Sequence, residues 1–333
     1  MTVRLGINGF GRIGRTILRA LLDSDRTDLQ VVAINDPAPK DTLAHLFEFD
    51  SIHGRLRHAV EPTDTGLLLA NRPINMTSDT DPAALPWQDV DIALECSGKF
   101  AEASAAGRHL QNGSRRVLLS APAKGDLKTI VYGVNDHLIT PDDTVLSNGS
   151  CTTNCLVPVA HVLHETLGIK RGMMTTVHSY TSTQPTHDAP HADLYRARAA
   201  ALSMIPTSTG AALTLGQVLP DLAGRITGQA IRVPAPNVSC IDLTVETHSA
   251  TTPEEINRFF QDAAANAFKG IISTTARKLV SSDFRQDPHS AIFAEDQTRV
   301  QDGTLVRVLA WYDNEWGFSN RMLDTAARMG ALI

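Results

Sequence analysis

VRLGINGFGRIGR, residues 3–15, passes from apolar, partly β-branched residues through a glycine-rich turn into residues at helical spacing. The reading is strand, turn, helix. Gly9, Gly11 and Gly14 form G-x-G-x-x-G across that turn. The spacing permits a tight turn and close approach of a pyrophosphate, whose charge meets the free N–H groups at the helix start. The same pattern also occurs in purely structural turns, so context has to decide. A second apolar strand, LQVVAI at 29–34, ends at Asn35-Asp36. A carboxylate about twenty residues beyond the glycines accepts hydrogen bonds from a ribose 2′-hydroxyl and repels a 2′-phosphate. Asp36 thus favours NAD over NADP, and no Arg or Lys follows it directly. The competing reading is that Asp36 caps a strand before Pro37.

Working outward, strands are expected at 91–96, 117–120 and 129–134, with a helix at 101–110. Strands alternating with helices indicate a largely parallel sheet covered on both faces, so the first 150 residues read as doubly wound. With 333 residues, two domains are expected. A composition of 42% apolar and 20% charged residues is that of an ordinary globular chain. A net charge of −6 argues against a broad basic surface for nucleic acid. No run approaches the ~18 apolar residues of a membrane span, and no leader is read before residue 3. The expectation is a cytoplasmic enzyme of small molecules, with no nucleic-acid or membrane partner. Four cysteines, at 96, 151, 155 and 240, suit free thiols better than a disulfide framework or a zinc site, and no metal is expected.

The character changes after residue 150. A helix is expected at 151–167, strands at 172–179, 229–233, 240–245 and 305–312, and helices at 253–267 and 320–329, as in an antiparallel-rich domain. A polar stretch from Tyr180 to about Asp193 reads as a long functional loop. SNGSCTTNC, 147–155, places Cys151 at a helix entrance, where the N-terminal dipole and unpaired N–H groups favour a thiolate nucleophile. Ser150, Thr152 and Thr153 add donors for an anion or an oxyanion. Cys155, one turn further in, reads as a packing thiol. His178 ends an apolar strand, MMTTVHS, where an isolated histidine is usually a core residue. Beside a reactive cysteine, however, an imidazole both supports the thiolate and accepts a proton as hydride leaves.

INGFGRIGR, SNGSCTTNC, HSYT, RARAAALSMIPTSTGAA, IRVPAPNVSCIDL and WYDNEWGFSNRM occur in that order from residue 7 to beyond residue 320. Together they resemble the phosphorylating glyceraldehyde-3-phosphate dehydrogenase family. The resemblance implies a Rossmann dinucleotide-binding domain at 1–150, with a C-terminal helix at 315–333 packed back on it. An α+β catalytic domain with a mostly antiparallel sheet fills 151–314. It implies NAD, a phosphorylated aldehyde and inorganic phosphate, glycolytic chemistry, and a homotetramer whose S-shaped loop lines a neighbour's cofactor site. By position, Cys151 resembles the nucleophile and His178 its base. Gly9, Phe10, Gly11, Arg12, Ile13, Gly14, Asp36 and Ser120 match the cofactor site, and Asn314 the residue holding the nicotinamide carboxamide. Thr181 and Arg232 match the site of the substrate's phosphate, and Ser150, Thr152, Arg196, Thr209 and Gly210 that of the attacking phosphate. Taken alone, Arg196 would be a surface residue of its RARAAA segment. Arg232, inside IRVP, would be a costly buried charge without an anion.

Two positions depart from the family's pattern. Thr183 stands where the family commonly has Asp, and Leu213 where it commonly has Lys. The alternatives left open are an erythrose-4-phosphate dehydrogenase, an isoenzyme using arsenate as acceptor, and a catalytically silent NAD-binding redox sensor.

Overall fold

The computed structural model describes residues 2–333. The chain divides into two compact units: the chain up to Gly149 together with Ser319–Ile333, and Ser150–Phe318.

The first unit is an eight-stranded sheet. Val3–Asn8 lies at its centre, flanked by Ile92–Glu95 on one side and Leu29–Asn35 on the other. Both neighbours run parallel to it. Arg116–Leu119 and Val145–Ser147 continue the parallel order beyond Ile92–Glu95. Arg72–Thr77 extends the other side before a short antiparallel edge of Gly66–Leu69 and Val60–Pro62. Strand order thus reverses around Val3–Asn8, and the crevice at the carboxyl ends of such strands is where α/β sheets bind ligands. Near-continuous burial of Leu5, Ile7, Ile92, Ala93 and Leu94 reflects cover on both faces. A polar chain ties the strand ends together. Asn35 donates to Asn8 at 2.8 Å, and Asn8 donates to the buried Glu95 carboxylate at 2.6 Å. His109 Nε2 lies 2.9 Å from the same carboxylate.

Two expectations for this unit need correction. Residues 129–134 form no strand: only an isolated bridge joins Thr129 to Ser147. Asn135 accounts for the difference, because its amide donates to Thr129 O and accepts from Val131 N, supplying partners a neighbouring strand would otherwise provide. The helix expected at 101–110 is reduced to Ala103–Ala106 followed by a 3-10 segment, Gly107–Asn112. In addition, the helix Lys40–Glu48 carries no strong apolar stripe and escaped the sequence pattern.

The second unit carries another sheet, ordered Ile205–Ser208, Ile226–Val233, Ile169–Ser179, Ser239–Thr247, Leu305–Tyr312, Ala291–Ala294 and Ile272–Thr275. Four of the six pairings are antiparallel; Ile169–Ser179 with Ile226–Val233, and Ile272–Thr275 with Ala291–Ala294, are parallel. The helix Cys151–Leu167 is buried along most of its length, whereas Pro253–Ala265 begins with a Thr252/Glu255 capping box. No helix or strand interrupts the chain between Ser179 and Ile205. Among the described residues, no helix is long and apolar enough to cross a membrane.

Candidate active site

In the first unit, Val3–Asn8 hands over to the helix Arg12–Leu22 through the glycine turn. Gly9 has φ +94°, and a Cβ there would stand 2.5 Å from Ser97 N. A Cβ at Gly14 would stand 2.2 Å from Gly9 O. At Gly11 a Cβ would meet nothing, so the turn presents bare backbone to open space. No side chain caps this helix start, leaving its field available to an anion. Phe10 is buried, Ile13 is partly exposed, and Arg12 pairs with Asp50 at 2.5 Å.

The Asp36 carboxylate accepts from Phe10 N at 2.8 Å through one oxygen and from Ala38 N at 2.9 Å through the other. Each oxygen retains capacity for a further donor, as a ribose diol requires. Asn8, Gly9, Gly11, Asp36, Pro37 and Phe100 help line a cleft of about 340 Å³ beside the turn. Ser120 lies just past the strand Arg116–Leu119, its N–H bonded to Glu95 O. Bare turn, uncapped helix and half-satisfied carboxylate fit a dinucleotide.

In the second unit, Ser150 caps the helix Cys151–Leu167, its hydroxyl accepting from Thr153 N at 3.1 Å. Cys151 therefore occupies the first helical position. Its Sγ lies 3.4 Å from His178 Nε2. His178 is carried by Ile169–Ser179, where its register partner in the adjacent parallel strand is Arg232. On the far side of the imidazole, Nδ1 lies 2.7 Å from Ser179 O and 2.6 Å from an Arg232 guanidinium nitrogen.

Electrostatics follow from this packing. Burial, and then the Arg232 charge, push His178 down to about 3, so the imidazole is neutral at ordinary pH. Burial pushes the Cys151 thiol up, opposed by Arg232 and by the Thr152 hydroxyl and N–H. Arg232 itself is lowered first by burial, with the Arg196 charge also acting against it. Two guanidiniums that feel each other form a ready site for anions. The other thiols are inert by comparison: burial lifts Cys96 and Cys240 to about 12 and Cys155 well above its usual range.

Tyr312, which carried no signal in the sequence beyond its aromaticity, joins the two halves of this site. Thr176 donates to Cys240 O at 3.0 Å, so it accepts the Tyr312 hydroxyl proton at 2.9 Å. Tyr312 in turn accepts from Thr152 at 2.9 Å. This one-way chain pins the turn bearing Cys151 to the strand bearing His178. The Thr152 hydroxyl is thus shared between Tyr312 and the Cys151 thiol. Tyr312→Phe removes the link; thermal or denaturant unfolding should register a loss of about 1–3 kcal/mol. Unchanged stability would mean that the chain does not hold the turn.

The remaining candidates sit as follows. Arg196 spends its Nε on Thr207 at 2.8 Å and lies 3.5 Å from Asp193. Thr209 accepts from Ala211 N at 3.3 Å, and Gly210 opens the helix Ala211–Val218 with empty space where a Cβ would stand. The Thr181 and Thr183 hydroxyls are 2.9 Å apart. Ser179 donates to the Asn314 carbonyl at 3.0 Å, leaving the amide NH2 as the outward donor. Leu213 is 75% exposed.

Comparison with known proteins gives the same outline. Residues 3–103 match the family described as glyceraldehyde 3-phosphate dehydrogenase, NAD binding domain, and residues 150–314 match its C-terminal domain. The chain belongs to the glyceraldehyde-3-phosphate dehydrogenase family. It is 57% identical to a glyceraldehyde-3-phosphate dehydrogenase of Cereibacter sphaeroides and 56% identical to one of Xanthobacter flavus, each over the whole of both chains. A relative of that name from Pseudomonas aeruginosa is 51% identical over 99% of both chains. As a family member, the protein is an NAD-dependent oxidoreductase acting on an aldehyde group, with a dinucleotide-binding and an antiparallel-rich α+β domain.

Proposed function

We propose that the protein oxidises glyceraldehyde 3-phosphate to an acyl phosphate, with Cys151 as nucleophile and His178 as proton carrier. The observation that carries this reading is the 3.4 Å approach of Cys151 Sγ to His178 Nε2 beside a half-buried guanidinium. Sγ passes its proton to Nε2 and bonds to the aldehyde carbon, and Nε2 hands that proton on to the carbonyl oxygen. Nε2 then takes that hydroxyl proton back as the carbon is oxidised to a thioester. When bound, NAD supplies the hydride acceptor for this step. An oxygen of inorganic phosphate next attacks the acyl carbon, the C–S bond breaks, and the thiolate returns.

In this reading Thr181 and Arg232 hold the substrate's phosphate. Ser150, the Thr152 N–H, Arg196, Thr209 and Gly210 receive the attacking phosphate; a planar guanidinium suits such oxyanions. The Asn314 amide takes the nicotinamide carboxamide, and Ser120 and the residues of the 9–14 turn take the rest of the cofactor. The chain up to about residue 150, with the helix at 315–333, serves the cofactor, and 151–314 serves the chemistry. Exposed Leu194, Tyr195, Leu202 and Met204, on the stretch without helix or strand, support assembly into a homotetramer. A cytoplasmic, glycolytic role belongs to the same proposal.

The test is an assay crossing glyceraldehyde 3-phosphate and erythrose 4-phosphate with NAD or NADP, and with phosphate, arsenate or neither. Turnover is expected with glyceraldehyde 3-phosphate and NAD, and only with an added oxyanion. Oxidation at the same rate without one would replace the acyl-phosphate product by a hydrolysed one. Preference for erythrose 4-phosphate would reassign the substrate.

Asp36→Ala should relax the discrimination against NADP by roughly tenfold or more, since a charge-assisted hydrogen bond contributes about 1.5–3 kcal/mol. The ratio of kcat/KM for the two cofactors measures it. An unchanged ratio would move cofactor selection away from Asp36.

A further inference from the structure

Four donors converge on the buried carboxylate of Glu95. One oxygen accepts from Ser97 N at 2.8 Å and from the Ser97 hydroxyl, the other from Asn8 Nδ2 at 2.6 Å and His109 Nε2 at 2.9 Å. Each donor is oriented by its own neighbours. The Ser97 hydroxyl accepts from Lys99 N, so its proton points to Glu95. The Asn8 carbonyl accepts from Asn35, which turns the Asn8 NH2 to Glu95. The Asn112 carbonyl accepts from Ser114 N, so the Asn112 NH2 faces His109 Nδ1 and the ring proton sits on Nε2. An amide in place of the carboxylate would set an NH2 against Ser97 N on one side or against Asn8 Nδ2 on the other. The position calls for a group that only accepts.

We infer that Glu95 and His109 are positioning residues for the cofactor: from behind the glycine turn they set the wall on which the dinucleotide lies, without touching it. The inference rests on the reading of the cleft beside that turn as the seat of NAD. Asn8, Asn35, Asp79 and Ser97 line the cleft, and the Glu95 carboxylate ties them together. Through Asn8 it reaches Asn35, whose carbonyl accepts from the Thr77 hydroxyl and from Asp79 N. Through Ser97 N it fixes the backbone against which Gly9 packs, where a Cβ would stand 2.5 Å away. Trp87 stacks on the His109 ring with centroids 5.4 Å apart, which keeps Nε2 aimed at Glu95. The charge itself works against the ligand, since a buried anion behind the turn repels a pyrophosphate. What Glu95 contributes to binding is therefore geometry. The two effects have opposite signs when the charge is removed: repulsion alone predicts tighter binding of NAD, and positioning predicts weaker binding.

The test is calorimetric titration of the full-length protein with NAD. Glu95→Gln keeps the shape, removes the charge and introduces the misplaced NH2. Its Kd for NAD is expected to rise roughly tenfold or more, while kcat at saturating NAD stays within about threefold of the parent. His109→Phe keeps a ring against Trp87 but gives Glu95 no donor, and should raise the Kd about threefold or more. His109→Gln returns an N–H at the reach of Nε2 and should bring the Kd back toward the parent value. A role in stability alone would lower the melting temperature of these variants and leave the Kd of the folded protein unchanged, which overturns the proposal. A Kd for Glu95→Gln equal to or below that of the parent overturns it as well. Where Glu95→Gln does not fold, the His109 variants decide, and a parent-like Kd for His109→Phe is the contradicting result. Gly11→Val serves as the control, because it places a side chain in the open space of the cleft and should lose NAD binding. Undiminished NAD binding by Gly11→Val would instead remove the reading of the cleft beneath the proposal.

Discussion

Cys151→Ser is expected to lower kcat roughly ten-thousand-fold or more while NAD still binds, as read by quenching of tryptophan fluorescence. The size follows from acidity. Serine keeps the shape at the first position of the helix and the same imidazole within reach, but its hydroxyl is far harder to ionise than a thiol. The burial that already pushes the Cys151 thiol up would oppose an alkoxide more strongly still. Burial pushes the other three thiols up as well, Cys96 and Cys240 to about 12 and Cys155 well above its usual range. A Ser variant within tenfold of the parent would mean that no covalent bond to residue 151 forms during turnover.

His178→Asn should cost about a hundred- to ten-thousand-fold in kcat, the usual worth of a positioned proton carrier. Asparagine offers a donor toward Sγ but cannot shuttle a proton. The loss should therefore fall on kcat far more than on the KM of the aldehyde. The variant should also lose the pH dependence that titration of the parent's Cys151/His178 pair imposes on kcat. A rise in KM alone, with kcat unchanged, would make His178 a binding residue and leave the base to be found elsewhere.

The parts of the molecule legible in the sequence are those where local chemistry and tertiary structure agree. G-x-G-x-x-G at Gly9, Gly11 and Gly14 is set by backbone geometry: a positive φ at Gly9 and contacts that no Cβ would tolerate at Gly9 and Gly14. The helix at Cys151–Leu167 and the strand Leu305–Tyr312 were readable because apolar residues predominate in both. The stretch at 129–134 looked like a strand because Thr129, Ile130, Val131 and Val134 are β-branched. What the pattern could not reveal is that the Asn135 side chain, four residues past Val131, takes over the backbone partners.

The same limit applies to the site. Cys151 and His178 are each recognisable from their neighbours in the chain, but their 3.4 Å approach depends on which strands pair. Arg232 reaches His178 because the two are register partners in adjacent parallel strands. Tyr312 was invisible as a participant: nothing in WYDNEW says that its hydroxyl will link Thr152 to Thr176 across the sheet. Thr152 was read as an anion ligand through its hydroxyl as well as its backbone. The sequence did not show that the same hydroxyl also meets Tyr312.

Mass spectrometry of the protein quenched after mixing with glyceraldehyde 3-phosphate and NAD, without phosphate, tests the covalent route most directly. The account predicts a phosphoglyceroyl adduct on the peptide containing Cys151, formed in step with one equivalent of NADH per site and discharged when phosphate is added. Stoichiometric NADH with an unmodified Cys151, or an adduct on any other residue, would contradict it.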